Sequence, residues 1–344
     1  MSGEESKTPR RGIPSWVPQV LGYCLSAGCL IWVLHGYRWD ELVPAIKDLD
    51  FRWVAVGILA DLSVYVVHGW RWNTLLLPVA RLKLWRTVQA IYIGLFANEV
   101  LPLRVGELIR CYLLAHWNGL RLSVGFASAA MERLIDGFWM LTAFVITASL
   151  VKGIPEDLVI LVQILGVLLI LGAVLLLWVI IHKQEAHAAI RESRWASTLR
   201  HVIEGLHLMG NVRTLTRTAL ISLLYLGMHM FSLYALLKAY KTDYSFWVAA
   251  GVVVLIRLAT VVPNAPGNLG VVNLATMKAL ELFDFPANDG KTFSIILWGA
   301  WTLPLLLGGA VATALTGVNL GELRDRAKAG IREGPAAATP ETEV

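Results

Sequence analysis

Charge is scarce in this chain. Asp, Glu, Lys and Arg make up 16% of its 344 residues, where soluble globular proteins carry about 25%. Together with 56% hydrophobic residues and a mean hydropathy of +0.61, this excludes a chain that buries its apolar surface in one water-facing core. Cysteine is nearly absent: Cys24, Cys29 and Cys111 lie in or beside apolar stretches with no metal-type spacing, so neither a disulfide framework nor a zinc site can be read from them. No Gly-rich phosphate loop, zinc-type histidine pair or nucleophile elbow is found, and hence no cofactor, metal or ATP is expected. His182 and His187 flank Glu185, but a five-residue spacing does not put two histidines on one helix face. Residues 1–15 are polar and no small-residue cleavage site follows Leu34, so the first apolar block is expected to be retained rather than cleaved as a signal peptide.

Long apolar runs are what the chain has instead. Residues 158–181 are apolar apart from Gln163 and a few glycines, long enough for a hydrocarbon core of about 30 Å. Similar runs at 16–34, 53–70, 123–151, 219–237 and 293–317 predict about six full membrane spans of an all-α polytopic protein. Lys and Arg gather at Lys7, Arg10 and Arg11, at Arg71, Arg81, Lys83 and Arg86, across 183–217, and at Arg324, Arg326, Lys328 and Arg332. The positive-inside rule places these segments, and both termini, in the cytoplasm. The net charge of +5 suits an inner face that meets anionic lipid, and does not imply nucleic-acid binding.

The expected organisation is a cytoplasmic segment 1–15, a transmembrane domain 16–318, and a largely disordered cytoplasmic tail 319–344. Within 183–213, Trp195, Leu199, Val202, Leu206 and Met209 recur at steps of four and three between arginines. That pattern fits an amphipathic helix lying on the inner leaflet, or equally a linker helix packed on the bundle.

Two apolar stretches are broken. In 87–117, Asn98, Glu99, Pro102, Arg104, Gly106, Glu107 and Arg110 separate two apolar halves too short to span alone. In 244–285, Arg257 lies within the first half, and Pro263, Asn264, Pro266, Gly267, Asn268 and Gly270 make the turn. Each reads as a helical hairpin, the first entering from inside and the second from outside. Because broken backbone in a membrane must be buried in protein or line a wet cavity, paired hairpins point to a substrate site and to an inverted-repeat arrangement. The first leg of the second stretch is long enough to span, which leaves a crossing open there.

Charges inside apolar flanks are functional candidates by default. Arg104 and Glu107 are at i, i+3, and Glu107 and Cys111 at i, i+4, so the two charges share a helix face, and Arg110 sits three residues after Glu107. The third span opens with Glu132, Arg133 and Asp136, either a structural ion-pair knot or part of a site. Asp61, His68 and His229 are isolated polar groups whose ordinary role is helix contact. Asp48 and Asp50 form an Asp-x-Asp pair of the sort that holds a metal in sugar transferases, but with no nucleotide-binding domain around it the pair reads as a solvated loop.

Asn98, Leu101, Pro102, Arg104, Gly106, Glu107 and Arg110, then Glu132, Arg133 and Asp136, and later Pro263, Pro266, Gly267 and Gly270, resemble the flippase-like integral membrane family related to the transmembrane domain of lysylphosphatidylglycerol synthase. The resemblance covers roughly 16–318. It implies a helix bundle with re-entrant segments that moves or handles a polar lipid. It also implies a glutamate where this chain has Asn273. Some members carry a soluble aminoacyl-transferase domain; nothing after Val318 is long enough to fold as one, so aminoacylation is not expected.

The expected function is a lipid flippase or scramblase of the cytoplasmic membrane. Arg104, Arg110 and Arg133 would contact an anionic head group, Glu107, Glu132 and Asp136 would balance or gate them, and Asn98, Arg257 and Asn273 would line the same path. The expected partners are that lipid and anionic inner-leaflet lipids, and self-association or a lipid-synthesising partner enzyme fits such a chain. The alternatives are a membrane enzyme or accessory subunit in lipid-linked glycan, hopanoid or phospholipid synthesis, and a non-transporting scaffold.

Overall fold

The computed structural model describes residues 16–101, 105–150, 156–181, 204, 207, 209–260, 265–323 and 325. These residues form helices and connecting turns, with no strand among them. The helices are α1 (Trp16–Leu34), the short α2 (Leu42–Asp48), α3 (Phe51–Leu76), α4 (Leu84–Val100), α5 (Gly106–Trp117), α6 (Leu122–Leu150), α7 (Glu156–Ile181), α8 (Val212–Ala239), α9 (Phe246–Ala259), α10 (Val271–Glu281) and α11 (Ala287–Thr316). Three of them, α3, α8 and α11, are long and apolar enough to cross a membrane by length and composition. Helix α6, at 29 residues, extends about 43 Å at 1.5 Å per residue.

A run of long, short, short and long helices occurs twice. Helices α3 to α6 have 26, 17, 12 and 29 residues, and α8 to α11 have 28, 14, 11 and 30. Helices α3 and α8 pack antiparallel along their lengths. The Asp50 N–H donates to the Ala239 carbonyl at 3.0 Å near one end, and the Ser232 hydroxyl donates to the Gly57 carbonyl at 2.8 Å. Small residues allow this approach: a Cβ on Gly57 would stand 3.0 Å from Leu236 Cγ. Helix α4 packs on α11, and α9 packs on α6.

Both broken stretches are helical hairpins. In the first, α4 and α5 run antiparallel, with Ala90, Ile93 and Ala97 packed against Val105, Ile109 and Leu113. Gly106 is required where they meet, since a Cβ there would fall 1.8 Å from the Gly94 carbonyl oxygen. Asn98 Oδ1 accepts from the Gly106 N–H at 2.8 Å, capping the second leg. In the second, α9 has only 14 residues. At 1.5 Å per residue this described helix is about 21 Å long.

The turn of the second hairpin is a short 3-10 helix, Pro266–Asn268, followed by Gly270 with φ +85° against Ser26 of α1. Two of its described backbone groups are met from neighbouring helices. The Ala265 N–H donates to Ser26 Oγ at 2.7 Å, and Trp298 Nε1 donates to the Gly267 carbonyl at 2.8 Å. The two turns meet: a Cβ on Gly267 would stand 3.2 Å from Glu99 Oε2.

One expectation needs correction. The second span does not end at Trp70: α3 continues to Leu76, so Arg71 is a buried helix residue and not part of a cytoplasmic loop. Leu320 and Leu323 pack on the first hairpin beside Val105 and Ile109. The loop 38–52 contains α2, with Asp48 paired to Lys241 and Asp50 capping α3 through a bond from the Arg52 N–H at 3.0 Å. Segment 1–15, most of the linker 183–213 and the tail beyond 325 lie outside the described residues, as do Pro102, Arg104 and Pro263. Of the linker's stripe, Met209 is buried beside Trp72, Leu75 and Leu76, which supports packing on the bundle at that end.

Gly106→Ala is expected to destabilise the protein by about 1–3 kcal/mol through overpacking, read as a lower unfolding temperature in detergent. Gly28→Ala, where an added Cβ meets nothing within 4 Å, is expected to leave it unchanged.

Candidate functional site

The charges of α5 and α6 converge with Arg71 of α3 into one ladder of alternating sign. Arg133 donates to Glu107, and Glu107 Oε2 accepts from Arg110 Nη2 at 2.9 Å and Nε at 3.1 Å. Arg110 Nη1 reaches Glu132 Oε2 at 3.0 Å. Glu132 Oε1 takes Arg71 Nη2 at 3.2 Å, and Arg71 pairs in turn with Asp136. Helical spacing explains the convergence. Glu107 and Arg110 sit three apart on α5, while Glu132 and Asp136 sit four apart on α6, so each helix presents its charges on one face.

Burial is graded along the ladder. The side chains of Arg71 and Glu132 are each 1% exposed, whereas that of Arg133 is 62% exposed. The centre is therefore a desolvated knot and the Arg133–Glu107 end is open. Arg133 lies about 16 Å along α6 from its first residue.

Polar and aromatic side chains enclose the knot. His68 Nε2 is 3.3 Å from Glu132 Oε1, and the Ser222 hydroxyl accepts from Arg71 Nη1 at 3.3 Å. Trp72 lies under the Arg110 guanidinium, 4.6 Å from its carbon to the ring centre, and is itself fixed by its Nε1 donating to Ser128 Oγ at 2.8 Å. Arg71 and Arg257 both stand over the Tyr225 ring, at 4.8 Å and 5.2 Å. No carboxylate among the described residues lies within ion-pair distance of Arg257, whose guanidinium meets the face of the Tyr225 ring. Within the ladder three carboxylates pair with three arginines, and Arg257 stands beside it.

The family model for the lysylphosphatidylglycerol synthase TM region matches residues 19–309. The chain belongs to that family. Its members are integral membrane proteins, and the apolar helices here agree with a multi-pass arrangement. UPF0104 membrane protein MJ1078 of Methanocaldococcus jannaschii is 24% identical over 222 residues, which cover 60% of this chain and 92% of that protein. The matched family segment takes in both helical hairpins and every member of the ladder.

Of the site residues read from sequence, Glu107, Arg110, Glu132, Arg133 and Asp136 come together, with Arg257 beside them. Arg104 lies outside the described residues. Asn98 and Asn273 sit apart, at the hairpin turns. Asn273 Oδ1 accepts from the Gly270 N–H at 3.1 Å and its Nδ2 donates to the Ser294 carbonyl at 3.1 Å, so each asparagine holds the glycine that opens a second leg. The Asp-x-Asp pair is occupied by structural bonds far along the chain from this cluster.

Arg71, Ser222 and Tyr225 were not read as site residues. The signal for Arg71 is present, because Trp72, Leu75 and Leu76 continue the helix until Pro78, the first breaker.

Glu132→Gln leaves Arg71 and Arg110 short of their shared counter-charge, and is expected to cost about 3–5 kcal/mol as a broken buried pair. Arg133→Gln, at the exposed end, is expected to cost about 1 kcal/mol or less. Thermal unfolding of the two purified variants in one detergent checks the contrast.

Proposed function

We propose that this protein moves a polar or anionic lipid between the leaflets of a cytoplasmic membrane, as a flippase or scramblase. The observation that carries the proposal is the cation left outside the ion-paired ladder: Arg257, on the first leg of the second hairpin, stands over the Tyr225 ring with no carboxylate among the described residues within ion-pair distance. A lipid phosphate supplies the missing anion. Substituting fixed charges for the water a head group loses is what such a step requires. The open Arg133–Glu107 end offers a second contact, since this pair can part and let Arg133 meet the phosphate while the buried knot holds the helices in place.

In this reading, the two runs of four helices are inverted repeats, with α7 as the additional crossing that reverses the second. The lipid head passes between the hairpins while its tails stay in the bilayer, and Arg104 lies on the same route. The basic loops set both termini in the cytoplasm, where anionic inner-leaflet lipids meet them. Membership of the lysylphosphatidylglycerol synthase TM family supports a lipid as the cargo. Asn98 and Asn273 contribute by holding the turns beside which the head group passes.

Liposomes containing the purified protein are expected to exchange at least one labelled lipid class between leaflets, among anionic phospholipids, an aminoacylated phospholipid and a polyprenyl phosphate. Arg257→Gln is expected to slow that exchange about tenfold or more, the loss of one charge-assisted hydrogen bond of about 1.5–3 kcal/mol, with normal folding. Equal exchange with and without protein, for every class tested, overturns the proposal.

A further inference from the structure

Asp61 is a buried acid outside the ladder. It lies on α3, ten residues before Arg71, on the face packed against α8, and is 1% exposed. Its solvation is poor on both oxygens. Oδ2 accepts one long bond, 3.4 Å, from the Tyr65 hydroxyl. Oδ1 is buried without a hydrogen-bond partner, although His229 Nδ1 of α8 stands 3.5 Å away. Glu132, by contrast, is met by two arginines and a histidine. An ionised carboxylate with so little compensation is costly inside a membrane protein, and a single proton relieves it.

His229 is more than a neighbour. Its ring meets Tyr225 edge to face at 5.2 Å between centres, and Tyr225 meets His68 at 5.5 Å. His68 contacts Glu132. Protonatable side chains therefore run in contact from Asp61 through His229, Tyr225 and His68 to the ladder. Arg257 stands over Tyr225, and its charge acts on Asp61 and on His229. The other titratable groups around Asp61 are Tyr65 on its own helix and, from α4, Tyr92 and Glu99. From α11 the packing group at His229 is Trp301, which does not titrate.

We propose that Asp61 and His229 carry a coupling proton that moves with the lipid, an inference that rests on the lipid-moving reading. With its proton, Asp61 is neutral and Arg257 is free to take the lipid phosphate. Without it, the Asp61 carboxylate answers the charge of Arg257 and the phosphate is released. The proton enters from one aqueous face and leaves to the other together with the lipid, and no covalent bond to the lipid is made or broken. For a singly anionic lipid the cycle is electroneutral. A pH gradient therefore drives it and a membrane potential does not.

The test uses proteoliposomes with labelled phosphatidylglycerol under an imposed pH gradient or, separately, a potassium-valinomycin potential. The unmutated protein is expected to move the label several-fold faster from the acidic to the alkaline side, with no effect of potential. Asp61→Asn is expected to lose the gradient response, Asp61→Glu to recover it, and His229→Gln to weaken it. Infrared difference spectra of the solubilised protein between acid and alkaline pH give a readout that needs no transport: a protonated-carboxyl band present in the unmutated chain and missing in Asp61→Asn. Lipid exchange indifferent to the pH gradient, or a full gradient response in Asp61→Asn, overturns the coupling and leaves the lipid reading standing. No exchange of any tested lipid class under any gradient removes the lipid reading and the coupling with it, whatever the infrared band shows.

Discussion

One carboxylate without water, Glu132, sets the terms for the centre of this molecule. Its two oxygens are shared by Arg71 of α3 and Arg110 of α5, so three helices are fixed in register by a single charge. Apolar packing alone does not select such a register in a bilayer, because lipid tails are as apolar as leucine. Mutual pairing does select it, since every alternative leaves a charge stranded. The aromatic and hydroxyl groups around the knot, Trp72, Tyr225 and Ser222, are the secondary shell of that one constraint.

The hairpins obey the same requirement at the level of the backbone. Short helices end inside the bundle and leave N–H and C=O groups where no bulk water answers them. Asn98 and Asn273 each take a glycine N–H, Ser26 takes the Ala265 N–H, and Trp298 donates to the Gly267 carbonyl. Glycine is needed at these points for two separate reasons. Gly106 admits a carbonyl at contact distance, while Gly267 and Gly270 adopt φ of +74° and +85°.

Much of this was legible in the sequence. The long apolar runs predicted the long helices, and the proline, glycine and charge breaks located both hairpins. The spacing of Glu107, Arg110, Glu132 and Asp136 placed them on helix faces that do converge. What was not legible depends on contacts between distant segments. Arg71 resembled a loop charge because it follows an apolar run beside other basic residues; the sequence carries the helix on to Pro78, but its partners on α6 lie far along the chain. Asp61 and His229 looked isolated for the same reason, being 168 positions apart in the chain and 3.5 Å apart in the fold. Asn98 and Asn273 are polar within the broken stretches, a property shared by head-group ligands and backbone caps alike.

The contact between Gly94 and Gly106 has a mechanical consequence. Two helices that touch backbone to backbone, with a side chain of one capping the other, cannot slide or splay without losing both contacts. The first hairpin therefore behaves as a single stiff lever. Any displacement at its tip, where Glu99 faces Gly267, must be taken up at its ends, in the connections before Leu84 and after Trp117, near the open glycine Gly119.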